Sequence, residues 1–531
     1  MKKHIVFALA LSLPILLNAQ NNIDAIKYIY HIDLNDDNDS INCWADIRFM
    51  VMQNSQIAEF DLASISKGKG MQISNVYIST QGDAIQTFTH KNNKLQILWP
   101  YELRKGDSAR VIIYYEGVPA DGLIISKNKY GHRTFFADNW PDRAHHWLVC
   151  NDKPDDKAMV QFIITAPSHY QIISNGTLME ETAFEKNKKL TYWKEDTPLP
   201  TKVMVIGVAD FAVDTVGEVN SLPVTSWVFP ENKAEGFYDY APAKDILAWY
   251  INYIGPYAYK KLANIQSKTV YGGMENASAI FYHENSVTGN RDELALLAHE
   301  IAHQWFGNHV TEKSFAHLWL SEGFATYLTH LYLESVHGTD SLNKRMQNDR
   351  EEIIAFVKAT KKPVVDNTSN YLSLLNANSY QKGGWVLHML RRELGDSVFH
   401  KIIREYYSQY AGKNADTDDF RKVAEAVSGK DLKPFFKQWF FTGENLSLGI
   451  KWTYNIKKKA VKIFISQKQS IAFNFPVTIM LHNTVGKSTT HRFTISKKDQ
   501  RFILPAAKKP VSITADPNTS LLAEITVIPL K

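Results

Sequence analysis

LLAHEIAHQWFG, residues 296–307, and LWLSEGFATYL, residues 318–328, decide how this chain is read. They hold His299, Glu300 and His303 in the order H-E-x-x-H, then eighteen residues, then Glu322. Residues four apart on an α-helix share one face, so His299 and His303 can turn both imidazoles towards one metal ion. Leu294, Leu297, Ala298, Ile301 and Trp305 recur at helical spacing and predict an amphipathic helix around the two histidines. Leu320, Phe324, Leu328 and Leu331 predict a second helix, able to pack on the first and bring Glu322 in as third ligand. Three protein ligands leave a fourth position for water, the composition of a catalytic rather than a structural zinc site. Glu300, directly after the first ligand, faces the open side of that site, where a general base belongs.

A competing ligand is excluded by one residue. His309 lies where the pattern H-E-x-x-H-x-x-G-x-x-H sets a third histidine, but that pattern needs glycine at 306. Position 306 is Phe and the glycine is Gly307, so the turn that would return His309 to the metal is not encoded.

Further motifs surround this pair. Upstream is YGGMENASAIF, residues 271–281, with Gly272, Gly273, Met274, Glu275 and Asn276, and downstream is SYQKGGWVLHML, residues 379–390, with Tyr380, Lys382 and Gly383. With IGPYAYKKL (254–262), WLVCNDKPDDKA (147–158) and QWFFTGENL (438–446), they follow one order along most of the chain. In that set the chain resembles the aminopeptidase N family of zinc metallopeptidases, which includes the leukotriene hydrolase branch. The resemblance implies a multidomain α+β protein: an N-terminal all-β, saddle-like domain, a mostly helical thermolysin-like catalytic domain, and a C-terminal β-sandwich. It implies one Zn2+ per chain on His299, His303 and Glu322, Glu300 as base, and the Tyr380 hydroxyl as donor to the oxyanion. It also implies that Glu275 anchors the free α-amino group of a peptide, which would restrict cleavage to the N-terminal bond. Gly272, Gly273, Met274 and Asn276 would then line the substrate, the glycines admitting its backbone and Met274 facing its first side chain.

Two departures from the family stand out. Relatives carry Gln or Glu five residues before an Arg in the N-terminal domain, as a second contact to the amine; counted from Arg143, that position here is Asp138, one methylene shorter. The Asp-Asn-Trp-Pro context suits an Asx turn equally well. At Thr329 relatives usually have an acidic residue, which leaves open what supports the ligands from behind. His145 and His146, adjacent in sequence, point to different faces of any regular element and read as structural.

Lys2 and Lys3 precede an apolar run, Ile5 to Leu17, followed by Ala19, which reads as an export leader over residues 1–19 and a periplasmic or secreted protein. The run is too short for a committed membrane helix and no later stretch is long and apolar enough, so no membrane segment is expected in the mature chain. Loss of Lys2 and Lys3 lowers the formal net charge from +5 to +3, too little over such a length to suggest nucleic acid. Cys43 and Cys150 either pair or are small buried residues.

Alternation, as in Tyr28, Tyr30, Ile32 and Leu34, predicts a β domain over 20–222. Helical periodicity then runs over 223–445, with a stop at Gly395 after LHMLRREL. Alternation returns over 446–531, in Val461, Ile463 and Ile465 and in FPVTIMLHN, as expected of a β-sandwich. Because the chain ends there, the resemblance is to a short form without the large helical C-terminal domain of many relatives. The function expected is hydrolysis of the N-terminal bond of peptides with a free amine. The alternatives are an epoxide hydrolase of the leukotriene type and an inactive relative that binds or adheres to a partner; the intact set of base, ligands and tyrosine argues against the last. Preferred first residue, peptide length and oligomeric state are not encoded in any motif.

Overall fold

The computed structural model describes residues 22–78, 86–483, 486 and 488–530, so the expected leader at 1–19 lies outside the described residues. The first half is β-structure. Ile23–Asp33 alternates buried and exposed positions and pairs antiparallel with Ile41–Val51 and parallel with Lys157–Pro167. It thereby sits inside a seven-stranded sheet, beside a four-stranded and a three-stranded sheet. Tyr28, Tyr30, Ile47, Phe162 and Trp147 pack into one buried core there. Cys43 and Cys150 are both buried in it and unpaired.

A five-stranded sheet begins the second half, in the order Ala212–Val219, Leu222–Val228, Leu262–Ser267, Ala279–His283, Gly273–Met274. The boundary expected after Leu222 therefore cuts a hairpin, since Val219 pairs with Leu222. Strand alternation alone cannot tell which sheet a strand joins. Gly273–Met274 forms the edge, antiparallel to Ala279–His283, and its outer side is left for the cavity described below.

Among the described residues there are nine α-helices: α1 (Lys233–Tyr240), α2 (Ala243–Tyr253), α3 (Leu294–Ala302), α4 (Trp319–His337), α5 (Thr339–Thr360), α6 (Gly383–Leu394), α7 (Asp396–Tyr410), α8 (Thr417–Ser428) and α9 (Lys433–Phe440). Asp416 caps α8 reciprocally with Asp419, and Gly395, at φ +88°, ends α6 where the sequence predicts a stop. None of the described helices is long and apolar enough to cross a membrane.

The last part forms a four-stranded and a three-stranded sheet, with Ser447–Asn455 and Ala460–Gln467 joined at the Lys457–Lys459 turn. Their buried residues, Ile463 and Val477 among them, share one core with helical residues such as Leu328 and Trp439. The β-rich core extends the other way, taking in Met274 and Phe281 of the five-stranded sheet. The site thus lies between the edge strand on one side and α3, α4 and α5 on the other.

Candidate active site

α3 is apolar on its buried side, where Leu297, Ala298 and Ile301 enter the core. It is shorter than the periodicity predicts: it ends at Ala302, and Trp305 is buried in the turn beyond. His303 is its C-cap residue and still bonds its N–H to the His299 carbonyl, so the two imidazoles stay one turn apart. α4 packs across α3 and brings Glu322 in from its first turn. His303 Nε2 lies 3.0 Å from His299 Nε2 and 3.2 Å from Glu322 Oε2, and His299 Nε2 lies 3.3 Å from Glu322 Oε2. Ligand atoms at ~2.0–2.1 Å from a tetrahedral zinc stand about 3.3–3.4 Å apart, so these three donors already have the spacing of a His2Glu site.

The remaining nitrogen of His303 is fixed from behind. Nδ1 faces the Phe306 carbonyl at 3.1 Å and Ser321 Oγ at 3.1 Å, which favours a proton on Nδ1 and a lone pair on Nε2. Gly307, at φ +121°, makes this possible, because a Cβ there would overlap Ser321 Oγ and come within 3.0 Å of His303 Nδ1. Thr329, where relatives carry an acid, spends its hydroxyl on the Ala325 carbonyl of its own helix.

A cavity of about 600 Å³ opens over these donors and is lined also by Gly272, Gly273, Met274, Glu275, Glu300 and Tyr380. A larger cleft, about 830 Å³ between α6, α9 and the C-terminal sheets, holds none of the candidate catalytic, metal or substrate residues. Gly273 lies against Glu300 so closely that a Cβ would overlap its carboxylate. The Glu275 carbonyl accepts from Gln304 Nε2 at 2.8 Å and Asn308 Nδ2 at 2.6 Å, while its carboxylate Oε1 is buried with no hydrogen-bond partner among the described residues. Tyr380 sits in a π-helical turn, Asn378–Lys382, pinned by Asn378 Nδ2 on the carbonyls of Lys362 and Pro363 at 2.9 Å each. Its ring stacks on His299, centroids 5.9 Å apart, and Glu322 is among the carboxylates whose charge acts on its phenol.

Charge makes the same point as geometry. Glu275, Glu300 and Glu322 are only 5%, 5% and 4% exposed, an excess of negative charge inside the protein. Burial, and then their mutual repulsion, pushes Glu300 well above the usual carboxylate range, with His303 opposing. Glu275 is raised in the same way, with His303 and Lys202 opposing. Burial and the three carboxylates hold the Tyr380 phenol up, hence protonated and able to donate. Buried carboxylates without partners are costly, so this donor set fits a divalent cation at the histidines and a cationic group at Glu275.

Two sequence-derived residues stand apart. Asp138 is buried away from the cavity lining: one oxygen pairs with Arg143 and the other accepts from Thr269 Oγ1 at 3.1 Å and Val270 N at 3.2 Å. Its shorter side chain is paired with the very Arg from which its position is counted and is fully buried, outside the cavity lining. Asn276 is buried behind the strand and does not line the cavity, its N–H bonding the Met274 carbonyl. His309 bonds Tyr407 at 2.8 Å and His145 bonds Asp152 at 2.8 Å, both away from the zinc donors.

Other contributors escaped sequence reading. Gln304 lies within the quoted motif and Asn308 directly after it, and both hold the Glu275 carbonyl just beyond the edge strand. Gly323 and Gly383 meet backbone to backbone, a Cβ on either approaching the other's Cα within 3 Å (2.8 and 2.9 Å), and this crossing puts Glu322 and Tyr380 side by side. The glycines at i+1 and i+3 of those two residues were the available signal.

The geometry agrees with the comparisons. Residues 25–203 match the Peptidase M1 N-terminal domain and residues 238–439 the Peptidase family M1 domain. Aminopeptidase M1-C of Oryza sativa subsp. japonica is 30% identical over 314 residues, 56% of this chain and 35% of that protein. Probable aminopeptidase 2 of Sulfurisphaera tokodaii is 28% identical over 347 residues, 62% of this chain and 44% of its own length. Glutamyl aminopeptidase of Sus scrofa is 28% identical over 320 residues, 57% of this chain and 34% of that protein. The chain thus matches well under half the length of these relatives. With both of the family's domain types in order, and the zinc donors within the second, the chain belongs to peptidase family M1.

Proposed function

We propose that this chain is an exported zinc aminopeptidase that hydrolyses the N-terminal bond of peptides. The observation that carries the reading is the buried, unpartnered Glu275 oxygen beside three donors at zinc spacing. His299, His303 and Glu322 would hold the ion, which when bound supplies an acidified water and polarises the scissile carbonyl. Glu275 takes the substrate ammonium in a charge-assisted bond and so admits only a free N-terminus. Gly272 and Gly273 leave the edge strand bare of side chains, letting the substrate backbone lie beside it. Glu300 takes a proton from water on its carboxylate and returns it to the leaving amine. The Tyr380 hydroxyl donates to the oxygen on which charge develops. Export follows from the basic and apolar start of the chain, and a β-sandwich is our reading of the two C-terminal sheets around their common core.

Aminoacyl-anilides, their N-acetylated forms and zinc analysis of Glu300→Gln test this together. Hydrolysis should fall by about 10²- to 10⁴-fold in Glu300→Gln with zinc content kept, and acetylated substrates should resist cleavage. Cleavage of acetylated substrates would refute the Glu275 anchor. Mass spectrometry of the exported protein tests removal of residues 1–19.

A further inference from the structure

Beyond the zinc donors the cavity continues into a polar group that no sequence motif includes: His330 on α4 with Arg345 and Asp349 on α5. Arg345 and Asp349 are four apart on one helix, the spacing at which an acid and a base normally pair. Asp349 Oδ2 instead contacts His330 Nε2 at 2.7 Å. Arg345, half-buried, is left with no hydrogen bond or ion pair among the described residues. Its guanidinium is a planar fork of five donors suited to a carboxylate. His330, 7% exposed, adds a buried Nδ1 without a partner.

The order of groups along α3 places this cluster. The edge strand runs alongside that helix, Gly272 near Leu296, Gly273 against Glu300, and the Glu275 carbonyl on Gln304. Glu275 is therefore at the His303 end. His330 shares the cavity lining with Ala295 and Leu296, at the other end of α3. α5 turns back from the far end of α4, so Arg345 lies one turn farther from the metal donors than Asp349. Glu275 and Arg345 mark opposite ends of one cavity. From Glu322 to His330 is eight residues, about 12 Å along α4. An extended peptide covers that in about three or four residues.

We propose that Arg345 recognises a substrate carboxylate on the leaving-group side, about three or four residues beyond the scissile bond, so that the preferred substrates are short peptides of about four or five residues carrying a carboxylate there. The carboxylate is either the C-terminus or an acidic side chain. The inference rests on the aminopeptidase reading, since only an amine held at Glu275 gives the cavity its direction.

The test compares kcat/KM for Ala-Ala-Ala-Ala, its C-terminal amide, and Ala-Ala-Ala-Asp amide. The carboxylate-bearing peptides are expected to exceed the neutral amide by about tenfold, mostly through KM. In Arg345→Gln the ratio should fall to about one, in Arg345→Glu it should invert, and Arg345→Lys should keep part of it. Being a ratio within one preparation, it is insensitive to partial loss of folded enzyme. Preference for the free acid alone identifies the C-terminus, and preference for Ala-Ala-Ala-Asp amide as well identifies a side chain. A wild-type ratio near one, or a ratio unchanged in Arg345→Gln and Arg345→Glu, overturns the proposal while leaving anilide hydrolysis as evidence for the aminopeptidase. Wild-type enzyme inert to anilides and peptides alike overturns the parent reading instead.

Discussion

Gly307 carries no chemistry, yet the geometry of His303 rests on it. Its positive φ and its lack of a Cβ, which would overlap Ser321 Oγ, leave room for the two oxygens that face His303 Nδ1. Gly307→Ala should displace that support and weaken zinc binding by about 10- to 100-fold, read by chelator competition, with little change in secondary structure by circular dichroism. At this scale the sequence was most legible where ligands are local: His299 and His303 are spaced by one helical turn, and spacing alone commits them to one face. It was least legible at Asp138, where the same resemblance that located the residue could not reveal that Arg143, Thr269 and Val270 already occupy its oxygens. Who satisfies a carboxylate is a question of tertiary contact, and a count along the chain does not answer it. Arg345 was invisible for the converse reason, because an arginine four residues before an aspartate ordinarily reads as a solvated helix pair.

Between elements, the decisive contact is the crossing of α4 and α6 at Gly323 and Gly383. Overpacking such a crossing costs about 1–3 kcal/mol. Gly383→Ala is expected to lower the thermal midpoint accordingly and, by moving the π-turn, to reduce kcat more than zinc content, since Tyr380 moves with α6 while the ligands stay on α3 and α4. Parallel measurement of metal stoichiometry and anilide turnover checks it. The periodicity gave the apolar face of α3 but carried that helix past its true end at Ala302, because Trp305 is buried in the turn as fully as it would be on the helix, while α4 is buried all round from Trp319 to Leu333 rather than on one face. Likewise the hairpin at Val219 and Leu222 reads as strand on both sides, and only pairing assigns it to the catalytic sheet.

Across the whole molecule, the N-terminal layer reaches behind the zinc helix. Lys202 Nζ pairs with Glu312 Oε1 at 2.5 Å with both side chains out of solvent, at 1% and 0% exposure. Lys157 Nζ bonds the carbonyls of Asn308 at 3.3 Å, His309 at 2.9 Å and Lys413 at 3.1 Å. Removing one partner of a buried pair strands the other charge, at about 3–5 kcal/mol. Lys202→Met should lose stability on that order in urea titrations, and adding Glu312→Gln should recover much of it. These joints explain why the three-part pattern was readable from alternation and helical period while its assembly was not: each lysine is an ordinary polar residue in its own strand or turn. They have a practical bearing on dissection of the protein. The segment that carries every zinc donor takes its counter-charges from a part of the chain a hundred or more residues upstream. Expressed alone it would expose bare carbonyls at Asn308, His309 and Lys413 and an orphaned acid at Glu312, and the region bearing the chemistry is thus one half of a single cooperative unit rather than a detachable module.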